Sequence, residues 1–128
     1  MTSKNLFFIL ILILASCTRK EKVITPEMAA RGGLLFNSVG CTRCHSLSGD
    51  NMYGPPLKFN FGGEITVVRK GSLENIELDR NYIIRSMKDP DFEKLPGYRE
   101  RKMAKIELPS AEIESIADYL IFINTIRK

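Results

Sequence analysis

The first amphipathic stretch of the chain predicts a helix that begins at Pro26 and runs to about Val39. Thr25 can cap its N-terminus with a side-chain oxygen, and proline suits the first helical position. Glu27 faces the positive end of the helix dipole. Gly40 follows the last periodic position, and glycine is the residue type that most often ends a helix.

Two further stretches have the helical period. Asp79 is a good N-cap for the first of them, which ends before Pro90. The second covers about residues 110–126 and has the strongest apolar face of the chain. The apolar positions of these two helices are Tyr82, Ile83 and Met87 in the first, and Ile113, Ile116, Ala117, Leu120 and Ile123 in the second.

The segments between the helices have no helical period. Glycine and proline residues at 54–56 and 62–63 mark turns. The stretches 65–68 and 73–78 can pair as a small hairpin across a Lys-Gly turn, and residues 91–108 read as a loop. The predicted fold class is therefore all-α, with three main helices, loops and at most one small hairpin.

A targeting signal is predicted at the N-terminus. Lys4 precedes an apolar run over residues 6–14, which is shorter than a membrane-spanning helix requires. Small residues then lead to Cys17, and the sequence Leu-Ala-Ser-Cys resembles a bacterial lipobox. The alternatives are an uncleaved N-terminal anchor and ordinary secretion.

The lipobox resemblance divides the chain into three parts. Residues 1–16 would be a lipoprotein signal peptide, residues 17–24 a lipidated tether, and residues 25–128 one domain. We therefore expect the domain to lie outside the cytoplasm. The lipid on Cys17 would anchor it to a bacterial membrane, facing the periplasm or the cell exterior.

Composition narrows the candidate chemistry. The chain has 128 residues, which allows one domain, and it contains three cysteines and one histidine. Its formal net charge is +4, and without Lys4 it would be +3. No arginine-rich stripe with interleaved aromatic residues is present, so nucleic-acid binding is not expected.

The sequence Cys41-Thr42-Arg43-Cys44-His45 carries the clearest chemistry. Two cysteines two residues apart, followed at once by histidine, are typical of a covalent attachment site for haem c. Each thiol forms a thioether with a vinyl group, and the adjacent imidazole can bind the iron. A redox dithiol lacks the expected βαβ context here, and a zinc site lacks a fourth ligand.

Together with the downstream pattern, this motif resembles the class I cytochromes c, over the chain from about residue 25 to its end. The nearest look-alike is the cytochrome c domain at the C-terminus of some cytochrome c oxidase subunit II proteins. The matching segments are residues 54–61, 82–90 and 96–98. The resemblance implies an all-α cytochrome c fold, in which three main helices and loops wrap around one covalently bound haem.

The same resemblance implies particular contacts. The first and last helices would cross near Gly32, Phe36 and Tyr119. The carbonyl group of Pro55 would accept a hydrogen bond from Nδ1 of His45, which fixes the imidazole and raises its basicity. The dinuclear copper site of subunit II itself is not expected, because the chain has no cysteine or histidine to spare.

The second axial ligand of the iron is expected to be a methionine. The candidates are Met28, Met52, Met87 and Met103. The resemblance places the ligand in the loop before the last helix and so favours Met103, although the family usually has Met-Pro where this chain has Met103-Ala104. Lys102 or Lys105 is the fallback, and an open coordination position is the third alternative.

What the resemblance implies about function is a membrane-tethered one-electron carrier of a respiratory chain, not an enzyme, with no small-molecule substrate. Its redox partners would be proteins such as a terminal oxidase and a quinol-oxidising complex. The alternatives are a haem enzyme or gas sensor with an open sixth position, and a fixed haem subunit of a respiratory complex. The basic run over residues 98–105 is either a solvated loop or a surface that steers acidic partners.

Overall fold

Helix α1 spans Pro26–Val39 and has both of the ends that the sequence predicts. In this computed structural model, which describes residues 21–127, the Thr25 hydroxyl accepts a hydrogen bond from the Met28 amide at 3.3 Å. Gly40 has a left-handed backbone conformation, with φ of 89°. Glycine adopts this conformation without strain, so the helix ends there.

The predicted hairpin is also present. Strands β1 (Glu64–Arg69) and β2 (Ser72–Glu77) pair antiparallel. Lys70 and Gly71 connect them with φ values of 50° and 82°. Two consecutive positive φ angles are what a two-residue type I′ turn requires, because its twist matches that of the strands. A backbone bridge from β1 to Lys94 joins the hairpin to a later loop.

Two more helices complete the fold. Helix α2 spans Arg80–Lys88, and the Asp79 carboxylate caps it by accepting a hydrogen bond from the Tyr82 amide at 2.7 Å. Helix α3 spans Ser110–Thr125, and the loop between α2 and α3 contains a single 3-10 turn, Pro96–Tyr98. The three predicted helices are confirmed, and the hairpin is the only sheet within the described residues.

Helices α1 and α3 cross closely because α1 presents glycine at the contact. A Cβ atom on Gly32 would lie 1.9 Å from the carbonyl oxygen of Ser115, a distance that backbone atoms cannot accept. The rings of Phe36 and Tyr119 pack beside this point with their centroids 5.5 Å apart. The crossing near Gly32, Phe36 and Tyr119 is therefore as the resemblance implies.

The predicted apolar face of α3 forms the centre of the core. Its residues pack with Phe36 of α1 and with Ile83 and Met87 of α2. Burial of this apolar surface is the main stabilising contribution to such a fold. The buried apolar residues of α3 are Ile113, Ile116, Ala117, Leu120, Ile121 and Ile123.

A buried carboxylate attaches the start of the described chain to the helices. Asp118 of α3 is 2% exposed and accepts hydrogen bonds from Lys22 Nζ at 2.7 Å and from Arg80 Nη1 at 2.5 Å. Two residues after Lys22, Ile24 packs against the core. Lys22 and Ile24 thus contact the domain, although both belong to the segment predicted as a tether.

The predicted signal peptide and the predicted lipid attachment at Cys17 lie outside the described residues. Between residues 21 and 127, no helix has the length and apolar character needed to cross a membrane.

A second buried carboxylate joins the hairpin to α2. The Glu93 side chain is fully buried. Its carboxylate accepts a hydrogen bond from Nη2 of Arg69 in β1 at 2.5 Å and another from Nε of Arg85 in α2 at 2.6 Å. Both guanidinium groups also lie over the Phe92 ring, at 5.1 Å and 5.3 Å from its centroid. Two cations on one buried carboxylate compensate its desolvation, so the loop after α2 has a defined position.

Candidate haem-binding site

A cavity of about 520 Å³ lies between the three helices and the loops that connect them. This volume falls within the range of roughly 300–1,000 Å³ that is usual for cofactor and ligand sites. Its wall is mostly apolar and includes residues of α1, β1, α2 and α3. The predicted site residues among the described ones all line it: Cys41, Cys44, His45, Pro55 and Met103.

The Cys-x-x-Cys-His motif reaches the cavity through a tight turn directly after α1. Residues 41–43 form a single 3-10 turn, in which the amides of Cys44 and His45 both bond to the Cys41 carbonyl, at 3.2 Å and 3.0 Å. This turn brings both thiols and the imidazole to one wall of the cavity. The left-handed Gly40 makes the abrupt change from helix to turn available to the backbone.

The two cysteines are both partly buried and do not form a disulfide. Burial raises the pKa of the Cys41 thiol above its ordinary value, with a smaller opposite effect from a backbone hydrogen bond. A nucleophilic redox cysteine needs the opposite, a lowered pKa that favours the thiolate. The raised pKa of the Cys41 thiol does not favour the redox-dithiol alternative.

The His45 ring is held on two sides. Nδ1 lies 2.8 Å from the carbonyl oxygen of Pro55, so Nδ1 carries the proton and Nε2 is left as the nitrogen with a free lone pair. Gly54 lies against the ring, and a Cβ atom there would be 2.5–2.9 Å from ring atoms. The Gly54 amide is itself held by the Cys44 carbonyl at 2.8 Å. The ring is thus held in place, with Nδ1 engaged and Nε2 left for a metal ion.

Substitution of Gly54 by alanine is expected to destabilise the haem-loaded protein by about 1–3 kcal/mol, because the new methyl group overlaps the His45 ring. Denaturant unfolding, followed by circular dichroism, measures the loss. Gly97→Ala is the matched control, since a Cβ atom there meets nothing within 4 Å. Equal unfolding midpoints for the two variants would contradict the close packing on the imidazole.

Two of the four candidate methionines reach the cavity wall. Met87 and Met103 line it, whereas Met28 and Met52 do not. Met87 is 6% exposed and belongs to the apolar core cluster, while Met103 is half-buried in the irregular loop before α3. Of the two fallback lysines, only Lys102 lines the cavity. The assignment of Met103 as a ligand stays a prediction.

Sequence reasoning missed several residues that shape this site. The sequence indicates a turn at Gly54, but the contact of Gly54 with the imidazole depends on how two loops meet. Asn124 of α3 lies among apolar neighbours, yet its side chain bonds to the Phe59 amide and the Leu57 carbonyl, both at 2.9 Å. These bonds hold the cavity-lining loop at residues 57–59. No local sequence signal distinguishes such a buried asparagine from a solvated one.

The fold is similar to that of solved cytochromes c. Cytochrome c from Rhodothermus marinus aligns with a TM-score of 0.53 and 20% identity, covering 83% of this chain and 84% of that one. An engineered cytochrome c from the same organism aligns with a TM-score of 0.55 and 23% identity, covering 82% of this chain and 84% of that one. A carbene-bound form of an engineered cytochrome c from that organism aligns with a TM-score of 0.54 and 23% identity, covering 82% of this chain and 84% of that one.

A scan against protein-family models and a search of curated proteins both find no match. The structural similarity at 20–23% identity establishes that the chain has a cytochrome c fold. The predicted fold class is confirmed to that extent, and the small hairpin that the sequence allows is present.

Proposed function

We propose that the protein is a monohaem c-type cytochrome that carries single electrons. The observation that carries this proposal is the placement of the Cys-x-x-Cys-His motif on the wall of an apolar cavity of about 520 Å³, with Nδ1 of the imidazole bonded to the Pro55 carbonyl group. The cytochrome c fold supports the same conclusion independently of the motif.

The residues present fit a covalently attached haem c. Cys41 and Cys44 would form the two thioethers, and Nε2 of His45 would bind the iron on one side. Pro55 keeps the proton on Nδ1 and so keeps Nε2 available. Met103 would supply the second axial ligand from the loop before α3.

When bound, haem supplies a ferric–ferrous couple that accepts or releases one electron. The chain sets the properties of that couple through its ligands and its cavity wall. A thioether such as that of Met103 is a soft ligand that favours the ferrous state and raises the potential. The apolar wall, which includes Phe36, Ile83 and Leu120, would limit access of water and disfavour additional charge at a bound iron.

The proposal includes a location outside the cytoplasm, with lipid on Cys17 as the anchor. Lys22 is held by Asp118, and five residue steps separate it from Cys17 in the sequence. Fully extended, five residue steps reach only about 17 Å. A short tether would keep the domain near the membrane surface and raise its effective concentration toward integral redox partners. A terminal oxidase and a quinol-oxidising complex are the proposed partner classes.

The decisive experiment is expression with the complete N-terminus in a host that attaches haem c during export. We expect the purified protein to have the mass of the mature polypeptide, its lipid and one haem, and to be reduced and reoxidised reversibly with one electron. A mass that lacks haem would overturn the proposal. A Cys41→Ser/Cys44→Ser variant, expressed in the same way, is the matched control for attachment.

Binding of carbon monoxide distinguishes the electron-carrier proposal from the alternative of a haem enzyme or gas sensor. With both axial positions filled, we expect the ferrous protein to bind carbon monoxide slowly and incompletely. Rapid and complete binding would instead indicate an open sixth position and would overturn the electron-carrier proposal.

A further inference from the structure

Arg101 lies in the basic run that precedes Met103, but it is not a free surface charge. Its Nη1 donates hydrogen bonds to the backbone carbonyl groups of Met52 at 2.7 Å and Tyr53 at 2.6 Å. Its guanidinium group also lies over the rings of Tyr98 and Tyr53, at 5.0 Å and 5.7 Å from their centroids. One side chain therefore joins two loops that are 49 residues apart in sequence.

Two neighbouring hydrogen bonds reinforce this connection. The Lys102 amide donates to the Tyr53 hydroxyl at 3.3 Å, and the Tyr98 hydroxyl donates to Oδ1 of Asn51 at 3.2 Å. The Lys94 ammonium group also donates to the Arg101 carbonyl at 2.7 Å. Residues 51–53 and 98–102, with the Arg101 side chain between them, are called the loop clasp below.

The loop clasp joins the two sides of the proposed iron site. Residues 51–53 lead directly into Gly54 and Pro55, which hold the His45 ring. On the other side, Arg101 is two residues before Met103. Both halves of the clasp also line the cavity.

Few contacts hold the start of the Met103 loop. Residues 102–109 have no regular secondary structure, and most of them are exposed. Ile106 and Leu108 pack against the core, so they hold the later part of the segment. Near Met103 itself, the contacts are the clasp and the exposed ion pair of Lys102 with Asp91 at 3.2 Å. Loss of the clasp therefore increases the fraction of molecules in which the start of the loop is displaced.

We propose that Arg101 is a positioning residue that keeps Met103 on the iron by fixing its loop to the loop that holds His45. This inference rests on the proposed function. Arginine suits the task better than lysine, because its planar guanidinium group donates to two carbonyl groups and stacks on aromatic rings at the same time.

The test compares the haem-loaded protein with Arg101→Gln, Arg101→Lys and Arg99→Gln. Arg99 is the matched control because it is exposed, and the ion pair that the structure gives it is with exposed Glu100. Carbon monoxide binding to the ferrous protein follows how often Met103 leaves the iron. Hydrogen exchange of the backbone amides over residues 99–106 reports the loop itself.

We expect both Arg101 variants to bind carbon monoxide about tenfold faster and to exchange the loop amides faster, with Arg99→Gln within about twofold of the unchanged protein. The lysine variant keeps the charge, so its behaviour separates geometry from electrostatics. Binding and exchange rates for Arg101→Gln that equal those of Arg99→Gln would overturn the proposal.

Failure of the ligand assignment gives a different result. If Met103→Ala leaves carbon monoxide binding unchanged, Met103 is not the ligand, and the positioning role toward the iron is overturned with that assignment. Amide exchange in Arg101→Gln would still show in that case whether Arg101 holds the loop. If Met103→Ala accelerates carbon monoxide binding but Arg101→Gln does not, only the proposed role of Arg101 is wrong.

Discussion

Without haem, the chain is expected to be largely unfolded. The cavity of about 520 Å³ lies among residues that also form the core, including Phe36, Ile83 and Leu120. Without a bound group, the apolar wall of this cavity would face water or lack packing partners, so the helices would lose a large part of their buried apolar contact. A chain of this length buries only a modest fraction of its surface, and typical domain stability is only about 5–15 kcal/mol.

The measurement is circular dichroism of the same polypeptide made with and without haem attachment. Expression in the cytoplasm, without the attachment machinery, gives the haem-free chain, and export in a competent host gives the matched control. We expect cooperative thermal unfolding only for the haem-loaded form. A cooperative, native-like transition in the haem-free chain would show that the helices and their buried ion pairs stabilise the fold without the cofactor.

Replacement of Met103 by alanine is expected to lower the reduction potential by on the order of 100 mV or more and to allow rapid carbon monoxide binding. As a ligand, the Met103 thioether would stabilise ferrous iron, and the methyl group of alanine would leave that coordination position open or available to Lys102 or water. Potentiometric titration and the absorption spectrum measure the change. Unchanged values for both would rule out Met103 as the ligand.

Two other methionines serve as comparisons for this variant. Met28 does not line the cavity, so Met28→Ala is expected to leave the potential unchanged. Met87 lines the cavity and is buried in the core, so Met87→Ala is expected to lower stability by about 2–5 kcal/mol. A large fall in potential for Met87→Ala, with none for Met103→Ala, would move the ligand assignment to α2.

The helices could be predicted because their ends depend on neighbouring residues. Thr25 and Asp79 bond to amides three residues later, and Gly40 needs only its own positive φ. The Lys70-Gly71 turn is equally local. The residue types and the spacing of Cys-x-x-Cys-His are typical of haem c attachment, so five consecutive residues were enough to predict the candidate cofactor.

Buried polar residues could not be predicted, because their partners are distant in sequence. Asp118 pairs with Lys22 across 96 residues, and Asn124 holds the backbone of Leu57 across 67. Glu93 appears in the sequence as one more charge of a polar loop, but its side chain is fully buried between two arginines. Nothing in the local pattern distinguishes these residues from solvated ones.

The sequence by itself therefore determined the three helices, the hairpin turn and the candidate haem-attachment motif, since each depends on local backbone preference or on fixed spacing. Only the tertiary structure decided that Gly54 packs on the His45 ring. The same holds for Arg101, which connects the loop at residues 51–53 to the Met103 loop. These contacts arise where loops from separate parts of the chain meet. Their geometry depends on how the helices pack, which no single segment specifies.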